Sequence, residues 1–509
     1  MNLIQSIDYA AIAPVLALAI AAVVVLVADL FVTTRRTDVA CGLSIAGVVV
    51  ALGWAGWLAT QDPRQTFCLP GGRCSYEADD YTVYFQLLFL TAILVVLLLS
   101  RATVLADAMP PGEFHFLLLS SGTGMLTLAA ARDLITLLIA LEVVSLPAFV
   151  LVGLRRGDPR GIEAALKFFL FSVVATGLTV YGMALLYGVT GSVQVDAIAT
   201  ALAGVHADGG AKASLAAAAV VLVIAGFAFK VSAVPFHFWA PDTYQGAPVP
   251  IAAFLSTASK AAGFAGLLVL LLDAFVHYAD VWGPVLAVLA AVTMTVGNVV
   301  ALRQWHLVRL LAWSTVAQAG YMLVPLGVAA TGGGRTPAEL REAGAATLVY
   351  LGIYVAMNLG AFACAVLLTR ERPRGAIDDL RGLVRRAPLL AVAFALFLTA
   401  LAGLPPGVAG LFAKVAVLRE AVHGHVVWLA VVAAVNAVIG LAYYLRVAAL
   451  LFATDGETTE EPVARQARRL SLAGSGLVLS LAATVALSVY PQPLFHWAKD
   501  ASRAVIFKA

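Results

Sequence analysis

Apolar runs of about twenty residues follow one another along this chain, each closed by a short polar or glycine-rich break. A helix of about that length crosses the hydrocarbon core of a bilayer, about 30 Å thick. The pattern predicts fourteen spans, over residues 10–32, 39–59, 82–100, 114–131, 134–153, 166–190, 213–239, 249–272, 281–302, 307–328, 344–369, 388–421, 427–452 and 470–490. The expected fold class is therefore an all-α polytopic membrane protein, with one membrane domain over 1–509. The first run lacks a basic leader and leads straight into further spans, so it reads as a first helix and not as a cleaved signal.

Two runs are too long for one straight crossing. Residues 213–239 number 27 and residues 388–421 number 34; as continuous helices they would measure about 40 and 50 Å. Both carry helix breakers, Pro235 in the first and Gly403-Leu-Pro-Pro-Gly407 in the second. Broken helices are tolerated at membrane depth where the freed backbone lines protein or a wet cavity. Each lies fourth in a block of five spans, which suggests two repeats, 106–275 and 276–455, flanked by 1–105 and 456–509. An odd number of spans per block inverts the second block. Discontinuous helices at matching places in inverted repeats are a transporter arrangement.

Composition agrees: 62% of residues are hydrophobic and 12% charged, a balance that leaves too little charge for a soluble surface. The net charge of +3 gives no reason to expect nucleic acid. Arginines gather in the loops after spans 1, 5, 11 and 13: Arg35 and Arg36; Arg155, Arg156 and Arg160; Arg370, Arg372, Arg374, Arg381, Arg385 and Arg386; Arg465, Arg468 and Arg469. That side is expected to be cytoplasmic, which puts both termini outside. The arginine- and alanine-rich composition suggests a bacterial plasma membrane. Cys68 and Cys74 fall in an outer loop, as a disulfide or as two free thiols. Neither CxxC spacing nor a P-loop nor a GxGxxG after a strand occurs, so no cofactor-binding or metal site is expected in this chain.

The lysines carry the candidate chemistry. The chain has 7 lysines against 25 arginines, and the loops use arginine almost throughout. Yet Lys230, Lys260 and Lys414 lie inside apolar spans, and Lys167 lies near the start of one. Arginine stays protonated in a protein, whereas a buried lysine can give up its proton. A site that takes and releases protons therefore calls for lysine. Lys260 stands at the middle of its span, too deep to snorkel, and Glu142 is equally central in its own. An isolated charge at that depth costs at least about 2.5–3.5 kcal/mol; a Glu–Lys pair at 4 Å recovers up to about 4 kcal/mol. Such a pair can switch between paired and released states. A structural ion pair is the plainer reading, but three deep lysines, one central glutamate and two broken helices favour a proton relay. His237 and His306 are candidates to carry protons between sites, against the alternative of polar residues satisfied at a helix break. Lys167 fits an edge pair with Glu163 four residues earlier. Asp29, Asp273 and Arg446 are expected at the interface, and Glu420 in an edge pair with Arg419.

Phe229-Lys-Val-Ser-Ala-Val-Pro-Phe-His-Phe-Trp-Ala-Pro-Asp-Thr-Tyr-Gln-Gly-Ala-Pro248, followed by Ala253-Phe-Leu-Ser-Thr-Ala-Ser-Lys260, closely resembles the subunit N family of bacterial respiratory complex I, the counterpart of chloroplast and mitochondrial subunit 2. Leu141-Glu-Val-Val-Ser-Leu-Pro147, Glu163-Ala-Ala-Leu-Lys-Phe-Phe-Leu170 and Arg309-Leu-Leu-Ala-Trp-Ser-Thr-Val-Ala-Gln-Ala-Gly-Tyr321 agree with it. The resemblance implies an antiporter-like proton channel in the membrane arm of NADH:quinone oxidoreductase. NADH, FMN, iron–sulfur clusters and quinone would then belong to partner subunits, with M-like and K/J-like subunits as neighbours in the bilayer. It also implies roles: Glu142 modulating Lys230 on broken helix 7, Lys260 on helix 8, and Lys414 on broken helix 12 near the outward exit. Mrp cation/proton antiporter subunits share the fold and a lysine before PFHxW; they are the alternative, and the residues after Pro241-Asp242 are N-like. A scaffold without transport and a stand-alone enzyme fit less well.

Overall fold

In a computed structural model, residues 7–69, 72–331, 336–371, 375–453 and 471–505 are described. Arg372, Arg374, Arg465, Arg468 and Arg469 lie outside the described residues. Helices dominate: α1 Tyr9–Phe31, α2 Arg36–Leu58, α3 Asp80–Ala106, α4 Pro111–Ala130, α5 Leu134–Val152, α6 Pro159–Thr190, α7 Val195–Asp208, α8 Gly210–Lys230 and α9 Trp239–Gly246. They continue as α10 Val249–Ala274, α11 Ala279–Ala301, α12 Leu307–Thr331, α13 Pro337–Glu371, α14 Pro388–Ala402, α15 Ala409–His423, α16 Val427–Phe452, α17 Ser471–Val489 and α18 Gln492–Val505. Twelve helices among the described residues are long and apolar enough to cross a membrane. The fourth expected span is helical as α4 but is not among the twelve, and the twelfth is split into α14 and α15.

Local chemistry fixes many helix starts. Asp8, Asp79, Asp133 and Asp158 each precede a helix and accept hydrogen bonds from its first free N–H groups. Pro159 follows Asp158 at the first helical position, where its missing N–H costs nothing, so α6 begins seven residues before its apolar run. The apolar runs do not reveal α7 and α18, because both are short helices of mixed polarity. α18 packs its Trp497 on Tyr84 (ring centroids 5.0 Å) and donates from Ser502 Oγ to Arg341 O (2.8 Å).

α10 is the axis of the molecule, with every residue from 250 to 272 buried. α3, α12 and α13 pack around it. Tyr81 of α3 donates to Ala265 O (2.6 Å), and Tyr354 of α13 to Ser256 O (2.8 Å). The periphery carries exposed Phe171, Val173 and Val174 on α6 and Val431, Val435 and Val438 on α16, as helices facing lipid or apolar partners require.

The two ends of the bundle differ. One holds a hairpin, β1 Arg64–Cys68 with β2 Cys74–Ala78, antiparallel and closed by a disulfide between Cys68 and Cys74. Arg132, in the turn between α4 and α5, pins that end. It is 8% exposed; its guanidinium donates to Asp79 Oδ2 (2.8 Å) and Glu77 Oε2 (3.3 Å), and also to Ala129 O and Ala131 O. The opposite end holds the arginine loops, with Arg155 paired to Asp107 and Asp158. Asp29 lies there too. It is buried in an ion pair with Arg36 and does not face the interface as expected, because α4 approaches so closely that a side chain on Gly112 would overlap it. Arg446 caps the carbonyl end of α11 through Leu302 O and Gln304 O, both at 3.0 Å, a favourable place for a cation.

Candidate functional site

The first long run breaks over residues 231–238, and Lys230 is the last residue of the half-helix before the break. Aromatic packing holds this bend. Trp239 stacks on Phe168 with centroids 4.4 Å apart and donates Nε1–H to Phe229 O (3.0 Å), one of the carbonyls freed at the end of α8. Lys230 is 3% exposed, and its ammonium donates to Ser145 Oγ of α5 (2.8 Å). Glu142, one turn earlier on α5, acts on Lys230 through its charge. The two are not within ion-pair distance: the Glu142 carboxylate accepts from Thr176 Oγ1 of α6 instead (2.7 Å). Serine thus takes the place expected for the carboxylate, three residues along the same face.

Lys260 is next along the axis. It follows a π-helical turn, Leu255–Ser259, a local widening common at functional positions. It is 0% exposed and donates to Thr315 O of α12 (2.7 Å). The stem of Lys230 crosses the same helix one turn later. A side-chain carbon on Gly263 would lie 3.0 Å from Lys230 Cγ, so glycine there lets the two helices meet.

The second long run breaks between Ala402 and Ala409. Gly403 has φ +82°, and the chain returns so tightly that a side chain on Gly410 would overlap Ala400 O. Lys414, on α15, is 7% exposed and reaches back to donate to Ala402 O (2.6 Å) at the end of α14. Its ammonium lies 5.7 Å from the centre of the Tyr321 ring, over the face of negative potential. At both breaks, then, a lysine sits by the carbonyl terminus of a half-helix, where the helix dipole favours a cation.

The histidines lie apart from the lysines. His237 is in the first break, 4% exposed, its ring 5.3 Å from Trp313. His306 borders a cleft of about 770 Å³ at the arginine end, with Arg101, Asp107, Arg155, Gln245 and Arg370. Lys167 makes the expected pair with Glu163 (2.7 Å) and a second with Asp242 (3.1 Å), which also binds Arg309 (2.7 Å). That network joins α6, α9 and α12 at the arginine end. Glu420 is half-buried and not in ion-pair contact with Arg419, which acts on it at longer range together with Glu342, His423 and Lys499. Among the described residues no group of three or more histidine, cysteine or acidic side chains is placed to hold a metal ion.

Polar side chains between Lys260 and Lys414 went unnoticed in the sequence. Ser314 and Gln318 of α12, Tyr350 of α13 and Tyr444 of α16 are all at most 2% exposed and joined by hydrogen bonds. Only a helical periodicity of polar residues on α12, Ser314 with Gln318, hints at them in the sequence.

Residues 131–440 match the family model described as NADH:quinone oxidoreductase/Mrp antiporter, TM. The NADH-quinone oxidoreductase subunit N 2 of Streptomyces griseus subsp. griseus is 47% identical over 514 residues, covering 98% of this chain and 94% of the relative. A chain of the respiratory complex I from Thermus thermophilus with bound aureothin superposes with a TM-score of 0.73 at 31% identity, covering 95% of this chain and 98% of that one. A chain of the Mrp complex from Dietzia sp. DQ12-45-1b gives a TM-score of 0.82 at 21% identity, covering 98% and 97%, a likeness of fold.

Proposed function

We propose, since the chain belongs to the NADH:quinone oxidoreductase/Mrp antiporter family and within it to the subunit N group, that Lys230, Lys260 and Lys414 pass protons through it. The chain is an antiporter-like membrane-arm subunit of NADH:quinone oxidoreductase, and its partners are the other membrane-arm subunits. M-like and K/J-like neighbours are the ones this reading adds. NADH oxidation and quinone reduction, with their FMN and iron–sulfur clusters, belong to partner subunits.

One observation carries the relay. Among the described residues the hydrogen bonds of the three deep ammonium groups go to neutral oxygens: Ser145 Oγ, Thr315 O and Ala402 O. A buried cation kept for structure has its carboxylates at hand, as Arg132 has Asp79 and Glu77. Lysines without such partners can exist charged or neutral, and a nearby charge decides which. Glu142 is that charge for Lys230. Moving a proton against the membrane potential takes about 2.3 kcal/mol per charge per 100 mV. A change of one to two pKa units, about 1.4 kcal/mol each, suffices to load and discharge such a site. His237 in the first break and His306 at the cleft fit the feed from the arginine end.

The two breaks face opposite ways. α8 runs from the hairpin end to its break, whereas α14 runs from the arginine end to its own. This supports fourteen crossings and an inverted pair of five-helix blocks, 106–275 and 276–455. It is also consistent with a bacterial plasma membrane in which the arginine end faces the cytoplasm and both termini face outward. The disulfide gives a direct check of sidedness. On intact cells, a membrane-impermeant maleimide is expected to label Cys68 and Cys74 only after an impermeant reductant. Labelling confined to inverted vesicles would reverse the orientation.

The function is tested with Lys230→Ala in membranes made leaky to ions, with assembly followed on native gels. NADH:quinone activity is expected to fall about tenfold, a barrier increase near 1.4 kcal/mol, with the complex intact. Unchanged activity with reduced cation tolerance of the cells would favour a cation/proton antiporter.

A further inference from the structure

Between the lysines on either side of α12 lies a network of buried side chains with one member of a different kind. Lys260 binds Thr315 O, and the neighbouring Ser314 hydroxyl meets Tyr444 Oη. Tyr444 Oη accepts from Gln318 Nε2 (3.2 Å), and the same Nε2 lies 3.4 Å from Leu401 O. Tyr350 Oη donates to Gln318 Oε1. On the far side, Tyr350 stacks on Tyr321 with centroids 6.1 Å apart, and Tyr321 lies under the Lys414 ammonium. Gln318, 2% exposed, is thus reached from Lys414 by two routes, the ring pair and the adjacent carbonyls Leu401 O and Ala402 O.

The carboxamide orientation is fixed by its partners. Leu401 O only accepts, so the amide nitrogen faces it, and the amide oxygen is left for the Tyr350 hydroxyl. Hydroxyls such as Ser314 and Tyr444 can take a proton on one lone pair and release another, so protons hop through them. A carboxamide cannot at ordinary cost, because its nitrogen only donates and its oxygen only accepts. Between the Tyr444 and Tyr350 hydroxyls the network therefore holds together through Gln318 but does not conduct there.

We propose that Gln318 is the gate between Lys260 and Lys414. Its side chain keeps the two lysines apart for protons while α14 and α15 are in the conformation described. Leu401 O and Ala402 O belong to one helix end, and Lys414 holds one while Gln318 holds the other. Loss of the Lys414 proton turns its charge-assisted bond to Ala402 O into a weaker neutral one, which lets that helix end shift and withdraw the acceptor from Gln318. The carboxamide then swings aside and opens the gap to water. Gln318 is a positioning residue in this scheme, and the scheme rests on the relay proposed above.

The test uses sealed membrane vesicles carrying the assembled complex, without NADH, under an imposed pH gradient. Gln318→Glu places an exchangeable proton in the gap with almost no change of shape. It is expected to raise the passive proton leak about tenfold over the parent. Gln318→Met, apolar and unbranched, is expected to leave the leak at the parent level. A Gln318→Glu leak no faster than that of Gln318→Met overturns the gate. Should the glutamate variant fail to assemble, Tyr350→Phe releases the amide oxygen and is expected to raise the leak as well; a parent-level leak in Tyr350→Phe overturns the gate equally. Lys414→Ala, assayed for NADH-driven proton uptake, separates the two ideas. If it pumps like the parent, the relay itself falls and the gate with it. If it loses pumping while Gln318→Glu stays tight, the relay stands and the gate is wrong.

Discussion

Vesicles whose complex carries Lys260→Met are expected to lose NADH-driven proton uptake through this subunit by about tenfold or more, an increase of at least 1.4 kcal/mol in the barrier. Assembly is expected to be normal or improved. The two effects have opposite signs for one physical reason. Lys260 is fully enclosed, and among the described residues its hydrogen-bond partner is the Thr315 carbonyl. A buried charge held by a neutral oxygen costs free energy that an unbranched apolar side chain of similar volume does not. A lysine kept for packing would therefore be replaced by methionine at little loss. Lys260→Arg sharpens the comparison. Arginine keeps the positive charge but holds its proton at any physiological pH. Pumping restored by arginine would mean that the charge alone is needed and that no proton leaves Lys260. Pumping lost in both variants, with the complex present on native gels, is the expected result.

The lysines were legible because cost makes them conspicuous. An ammonium in the middle of an apolar run stands out against its own neighbours, and so does a run that exceeds the bilayer and carries Gly-Leu-Pro-Pro-Gly. Their partners were not legible. Ser145 is three residues from Glu142, and nothing local says that the hydroxyl and not the carboxylate meets Lys230, 85 residues later. That choice is made where α5, α6 and α8 come together, since Thr176 of α6 turns the carboxylate toward itself. Gln318 and Tyr444 lie 126 residues apart, in mostly apolar spans, and each alone reads as a tolerated polar residue. Helix ends were displaced for a different reason. Proline 159 and the aspartate before it begin α6 outside its apolar run, so hydropathy sees only the later part.

Arg132 shows the same limit and leads to the largest expected effect on stability. In the sequence it is one arginine between two apolar runs, on the side poor in arginine. In the fold it is the point at which the hairpin, α3, α4 and α5 meet. Its backbone N–H donates to Ser75 O (2.9 Å) and its carbonyl accepts from Val195 N (3.0 Å), while its guanidinium holds Asp79, 4% exposed, and Glu77. Arg132→Leu leaves the Asp79 carboxylate buried without its cation. Breaking a buried pair from one side costs about 3–5 kcal/mol, a large share of the margin that keeps a domain folded. The complex is expected to lose this subunit on native gels, or to dissociate at a markedly lower temperature in detergent. Adding Asp79→Leu to Arg132→Leu removes the stranded charge and is expected to recover part of the loss, because the penalty belongs to the unpaired carboxylate and not to the missing arginine. A double variant no more stable than Arg132→Leu would place the cost in the backbone junction, held by Ser75 and Val195, and would show the ion pair to be incidental.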